Sequence, residues 1–103
     1  MPIRSVAILA VPGVQPFELG LAWEGFGIDR TDDGVPRYDT FVVSEHPVVP
    51  TAAGYTMTID ARLERARGAD LVIAPAYEDR AAATEPVLEM LRQTVADGGR
   101  VMS

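Results

Sequence analysis

Six consecutive apolar residues, Val6-Ala7-Ile8-Leu9-Ala10-Val11, run without a polar interruption. A strand with one solvated face alternates in polarity, whereas a strand covered on both faces does not. The run therefore reads as an interior strand of a parallel sheet, and Pro12-Gly13 ends it. Leu71-Val72-Ile73-Ala74, closed by Pro75, is a second strand of the same buried type. Two such runs in a chain of 103 residues point to a parallel sheet with helices on both sides.

The intervening sequence fits that frame. A helix is expected from Pro16 to about Gly27, since proline is tolerated in a first turn. Leu19, Ala22, Trp23 and Phe26 fall on one stripe that should face the sheet, although Gly20, Gly25 and Gly27 weaken the helix. Asp32-Asp33-Gly34 is turn chemistry. Tyr38 to Val43 is the second strand, and Glu45 to Gly54, with Pro47 and Pro50, reads as loop. Tyr55 to Ile59 alternates and suggests a short half-exposed strand. Asp60 is placed to cap a short helix through Ala66. Thr84 is placed to cap the last helix, with Pro86 in its first turn and Leu88, Leu91 and Val95 on one face. Asp97-Gly98-Gly99 closes it, and Arg100-Val101-Met102-Ser103 opens another strand. The expected architecture is α/β, three-layered, with a parallel sheet and right-handed crossovers. In such sheets the working site lies beyond the carboxyl ends of the strands. Only four strand residues follow the last helix, so the chain reads as the N-terminal half of one incomplete domain, residues 1–103, with no second domain.

Composition narrows the function. The chain is 48% hydrophobic and 23% charged, with mean hydropathy +0.09, which is globular composition. Its net charge of −6 disfavours nucleic-acid binding by this chain, because phosphate contacts need clustered cations. Cysteine is absent and His46 is the single histidine, excluding a thiolate nucleophile, a disulfide framework and a His-rich metal site. No apolar run reaches the ~18 residues of a membrane span, and no signal peptide precedes the first strand; a cytoplasmic location and no membrane partner are expected. His46 lies in a loop, Asp29, Asp32 and Asp33 lack calcium-loop spacing, and Arg62, Arg65 and Arg67 read as a solvated helix face. Gly98-Gly99 has no phosphate-cradling loop after it, and no cofactor is called for. On the residues alone, Glu18 is an acid suited to a first helical turn.

The order of these segments carries a resemblance. Pro12-Gly13-Val14, Pro16-Phe17-Glu18-Leu19 and Trp23-Glu24-Gly25-Phe26-Gly27 are similar to the ThiJ/PfpI superfamily, which has a flavodoxin-like, class I glutamine amidotransferase-like fold. The Thr51-Ala52-Ala53-Gly54 turn, Ala69 through Pro75, and Leu91-Arg92 through Val101 most resemble the N-terminal domain of AraC-family transcriptional regulators of the GlxA type. The match runs from about Arg4 to Ser103.

That resemblance implies a small-molecule ligand, and DNA contact only through a separate C-terminal helix-turn-helix domain. It implies a nucleophile elbow, carrying a cysteine, just after Val101-Met102-Ser103. Glu18 would be the acid that leans over that cysteine, half-buried and able to share a proton. The Pro75-Ala76-Tyr77 loop would supply a backbone amide to an oxyanion hole, and Glu18, Ala76 and Tyr77 are the implied ligand-binding residues. Relatives carry glycine at the positions of Ala76 and, among enzymes, Tyr77, so catalytic competence is doubtful here. As it stands the chain is expected to be non-catalytic, a sensing or dimerisation domain. The alternative is the N-terminal part of an isonitrile hydratase, amidase or deglycase-type enzyme. An open edge at Val101 and along Leu71–Ala74 is expected to make the chain self-associate.

Overall fold

The computed structural model of the chain describes residues 2–103. Its centre is β1 (Ser5–Leu9), which pairs in parallel with β2 (Asp39–Ser44) on one side and β6 (Leu71–Ile73) on the other. With β5 (Ala61–Arg62) beside β2 and β7 (Arg100–Met102) beside β6, the sheet order is β5-β2-β1-β6-β7 and every pair is parallel.

The unbroken apolar run follows from that central position. Val6 packs with Leu71 and Ile73 under Ala22 and Phe26 of α1 (Pro16–Phe26). Ala7 and Leu9 point the other way, into a cluster with Phe41, Val43, Leu63, Ala66, Val72 and Val87. Val87 belongs to α2 (Glu85–Ala96), so helices cover both faces and the three layers are present. Each fully buried Val, Leu or Ile of this kind stabilises by about 1.5–3 kcal/mol. Asp70 fastens the amino end of the sheet. Its carboxylate accepts hydrogen bonds from the Arg4 and Ser5 backbone N–H groups at 2.9 and 3.1 Å, tying the start of β6 to that of β1.

Several expectations need correction. The stretch read as loop contains β3 (Val48–Pro50), which forms an antiparallel ribbon with β4 (Thr56–Thr58). Pro47 and Pro50 hid it, but a two-stranded ribbon tolerates proline at its edges, and buried Val49 and Ile59 anchor it under Ala10 and Val14. Asp60 caps nothing. Ala61 and Arg62 extend the sheet instead, and only one 3-10 turn follows, at Leu63–Ala66. The Arg62 guanidinium dictates this by donating to the Ser44 hydroxyl and the Ile59 carbonyl. Arg65 is not simply solvated either, because its guanidinium lies 4.3 Å from the Phe41 ring centroid.

The helices differ from their expected faces too. Trp23 is 39% exposed rather than core. On α2 the buried stripe is Val87, Met90, Leu91 and Thr94, while Leu88 and Val95 face solvent. Thr84 holds the N-cap position without capping, since its hydroxyl donates to Glu45 at 2.7 Å. Gly98 does take the left-handed conformation that ends α2, at φ +89°. The Leu71–Ile73 strand is buried, not open, because β7 pairs along it and α2 lies over it; Val101 is 38% exposed. His46 lies exposed beside Glu45. No helix among the described residues is long and apolar enough to cross a membrane.

Candidate functional site

The chain leaves β1 toward β2 on one side, and β6 lies on the other. At such a switch point the loops beyond the carboxyl ends of two neighbouring strands diverge and leave a crevice. Here the loops are residues 10–15 after β1 and 74–79 after β6, and they are laced together. The Gln15 N–H donates to the Ala76 carbonyl at 2.8 Å, and the Glu78 N–H to the Gly13 carbonyl at 3.1 Å. The ribbon braces the opposite flank, where the Gly13 N–H donates to Pro50 and the Ala52 N–H to Val14. Gly13 makes this possible: its φ is +84°, and a Cβ there would meet the Glu78 backbone nitrogen at 3.4 Å.

The bracing fixes where α1 begins and hence where Glu18, in its first turn, is presented. Glu18, Ala76 and Tyr77 line one cleft of about 480 Å³, together with Ala74, Pro75, Arg80, Leu91, Val101 and Ser103. The sequence singled out three of these residues, and the fold brings all three to the same crevice. Arg80 escaped notice because a lone arginine in a polar stretch gives no signal. It is set in place by the 3-10 turn Arg80–Ala82, whose first residue is preceded by Asp79 accepting from the Ala81 N–H.

Two details differ from what the resemblance implies. Glu18 is exposed on the cleft wall rather than half-buried. Ala76 and Tyr77 need no glycine, because among the described residues no residue other than glycine has positive φ. Since the Val14–Tyr77 bridge uses the flanking groups, the Ala76 and Tyr77 N–H groups have no protein acceptor among the described residues. Apart from Arg80 and Ser103, the cleft's remaining lining is apolar: Ala74, Pro75, Leu91 and Val101. The lining thus combines one acidic residue, one arginine, two residues with unengaged backbone N–H groups and an apolar floor.

A second cleft, of about 540 Å³, opens at the amino end of β2 between Trp23, Asp29, Arg37 and Asp39. Its charges are already engaged. Thr31 donates to Asp29 through its backbone and its hydroxyl, which holds that carboxyl below the usual range, and Arg37 lies 3.9 Å away. Strand polarity favours the smaller cleft. No three His, Cys, Asp or Glu side chains among the described residues are grouped to hold a metal ion.

No family model matches the chain, and no curated protein does. Solved structures do. An AraC family transcriptional regulator from Pseudomonas putida superposes with a TM-score of 0.74 at 13% identity, over 95% of this chain and 54% of that one. A ThiJ/PfpI family protein from Pseudomonas syringae gives 0.74 at 18% identity, over 98% and 41%. The putative protease I from Bacteroides thetaiotaomicron gives 0.68 at 21% identity, over 95% and 60%. The chain has the ThiJ/PfpI fold. It is the flavodoxin-like three-layer arrangement expected from the buried runs, and the chain spans about half the length of the solved ThiJ/PfpI-fold proteins it matches.

Proposed function

We propose that this chain is the N-terminal part of a ThiJ/PfpI-like ligand-sensing domain from an AraC-type regulator. It binds a small molecule without covalent chemistry, and a separate domain of the parent protein contacts DNA. The observation that carries the reading is the cleft itself. Glu18 shares its lining with Ala76 and Tyr77, whose N–H groups have no protein acceptor among the described residues. A ligand with a hydrogen-bond acceptor for the amides, a donor for Glu18 and an apolar body for Leu91 and Val101 fits this lining. The net charge of −6 supports leaving DNA contact to another domain.

The second reading is the N-terminal part of a stand-alone enzyme, which the likeness to a putative protease I favours. Purified chain is expected to turn over neither methylglyoxal nor an isonitrile above background. Turnover abolished by Glu18→Ala would overturn the non-catalytic reading. The coding sequence beyond Ser103 separates the two parents. A basic segment with two helix-turn-helix units marks a regulator; a stop once a single domain is complete, with a cysteine at the elbow, marks an enzyme.

A further inference from the structure

The amino ends of the strands carry a charge opposite to that of the chain. The net charge is −6, yet three of the nine basic residues, Arg4, Arg37 and Arg100, line one cleft of about 760 Å³ in which Asp39 is the single acid. Strand pairing puts them there. Arg4 precedes β1 and Arg100 opens β7, with β6 between, so their backbones are two strand spacings, about 10 Å, apart. The Asp39 N–H donates to the Arg4 carbonyl at 2.8 Å and the Arg100 N–H to the Asp70 carbonyl at 3.0 Å, which fixes the frame. Among the described residues neither Arg4 nor Arg100 belongs to an ion pair. Arg37 reaches only Asp29, at 3.9 Å with 75% of its side chain exposed, a pairing worth little. Asp70 is occupied by the Arg4 and Ser5 backbone N–H groups. Guanidinium groups left open in this way match the paired oxygens of a phosphate.

This cleft continues into the one at Trp23, because Arg37, Tyr38 and Asp39 line both. The far end is aromatic. Phe26 and Tyr38 meet edge to face with centroids 5.2 Å apart, which holds the Tyr38 ring. Trp23 packs over Gly27 and stays partly open to solvent. On the shared wall stands Asp39, which has no ion-pair partner among the described residues. From end to end the trough presents an aromatic surface, an unpaired carboxylate and three cations.

We propose that this trough binds a phosphate monoester carrying a flat aromatic ring, of the nucleoside monophosphate class. The phosphate lies among Arg4, Arg37 and Arg100, the ring stacks beside Trp23, and sugar hydroxyls between the two donate to Asp39. The order of the three regions along the trough is the order of the ligand's parts. An inorganic anion would leave the aromatic end empty, and an uncharged ring would leave the arginines unpaired. The trough shares no lining residue with the cleft at the carboxyl ends, so the inference stands independently of the sensing reading.

The test is calorimetric titration of the full chain with adenosine monophosphate, followed in parallel by the emission of Trp23, the sole tryptophan. Binding should saturate, quench that emission and weaken as salt is added. Inorganic phosphate and adenosine should each bind about tenfold or more weakly than the nucleotide. Arg4→Gln and Arg100→Gln should each weaken nucleotide binding by about tenfold, the effect of losing one hydrogen bond to a charged group. Circular dichroism checks that both variants stay folded. No binding up to the solubility limit, or inorganic phosphate or adenosine matching the nucleotide, would overturn the proposal. So would affinity that is unchanged in both variants but lost in Arg80→Gln, which would place the phosphate in the cleft at the carboxyl ends.

Discussion

At the scale of single residues, two glycines do what no other residue can. Gly13 turns the chain at the end of β1 in a left-handed conformation and lets the cleft loops close on each other. Gly27 ends α1 with ordinary dihedrals, but the Trp23 indole lies where its Cβ would be. Gly27→Ala should therefore push the indole outward and destabilise by about 1–3 kcal/mol, the usual cost of overpacking. Trp23 is the sole tryptophan, so its emission reports the displacement directly as a red shift. Unchanged emission and stability would mean that the ring moves aside freely. Gly13 was legible as a strand-ending turn. The contact at Gly27 was not, because the sequence placed Trp23 in the core and nothing in residue spacing says that an indole folds back over the helix end.

At the scale of elements, long apolar runs were readable and short mixed segments were not. β1 and β6 announced themselves because both faces are covered, so polarity carries no alternation. β3 was missed because two prolines outweigh three residues of local propensity, and burial of Val49 by the ribbon is a tertiary effect. The outward turn of Leu88 and Val95 is likewise set by where β7 lies, not by the helix. Two measurements probe the elements. Ile8→Val at a fully buried position of β1 should cost about 0.5–1.5 kcal/mol, a drop in Tm of several degrees in a domain of this size. Asp70 gives a pH signature. Backbone hydrogen bonds from Arg4 and then Ser5 hold its carboxyl below the usual range. A depressed carboxyl contributes stability that is present above its unfolded value of ~3.9 and is lost as pH falls through the folded value. Asp70→Asn should lower Tm at pH 7 and flatten the decline of Tm below about pH 4. An identical acid profile in the variant would show that the clamp does not couple to folding.

At the scale of the whole molecule, sheet order determines where a ligand can be held. Because β1 sits between β2 and β6, the loops after β1 and β6 meet beyond the carboxyl ends of the strands, bringing Glu18 within the same lining as Ala76 and Tyr77. Topology, and the placing of Glu18, Ala76 and Tyr77 around one cleft, were legible through the order of motifs. The free amides were not, since they arise from the bridge at Val14 and Tyr77, which joins residues 63 positions apart. The ligand-binding claim is tested most directly by a titration followed through backbone amide resonances, using a panel of small primary amides and amino-acid amides as probes. The account predicts that shifts concentrate on the Ala76 and Tyr77 N–H groups and on Gln15, and that Glu18→Gln weakens binding without altering the fold. Shifts centred on the Trp23 cleft, with Ala76 and Tyr77 unmoved, would contradict it.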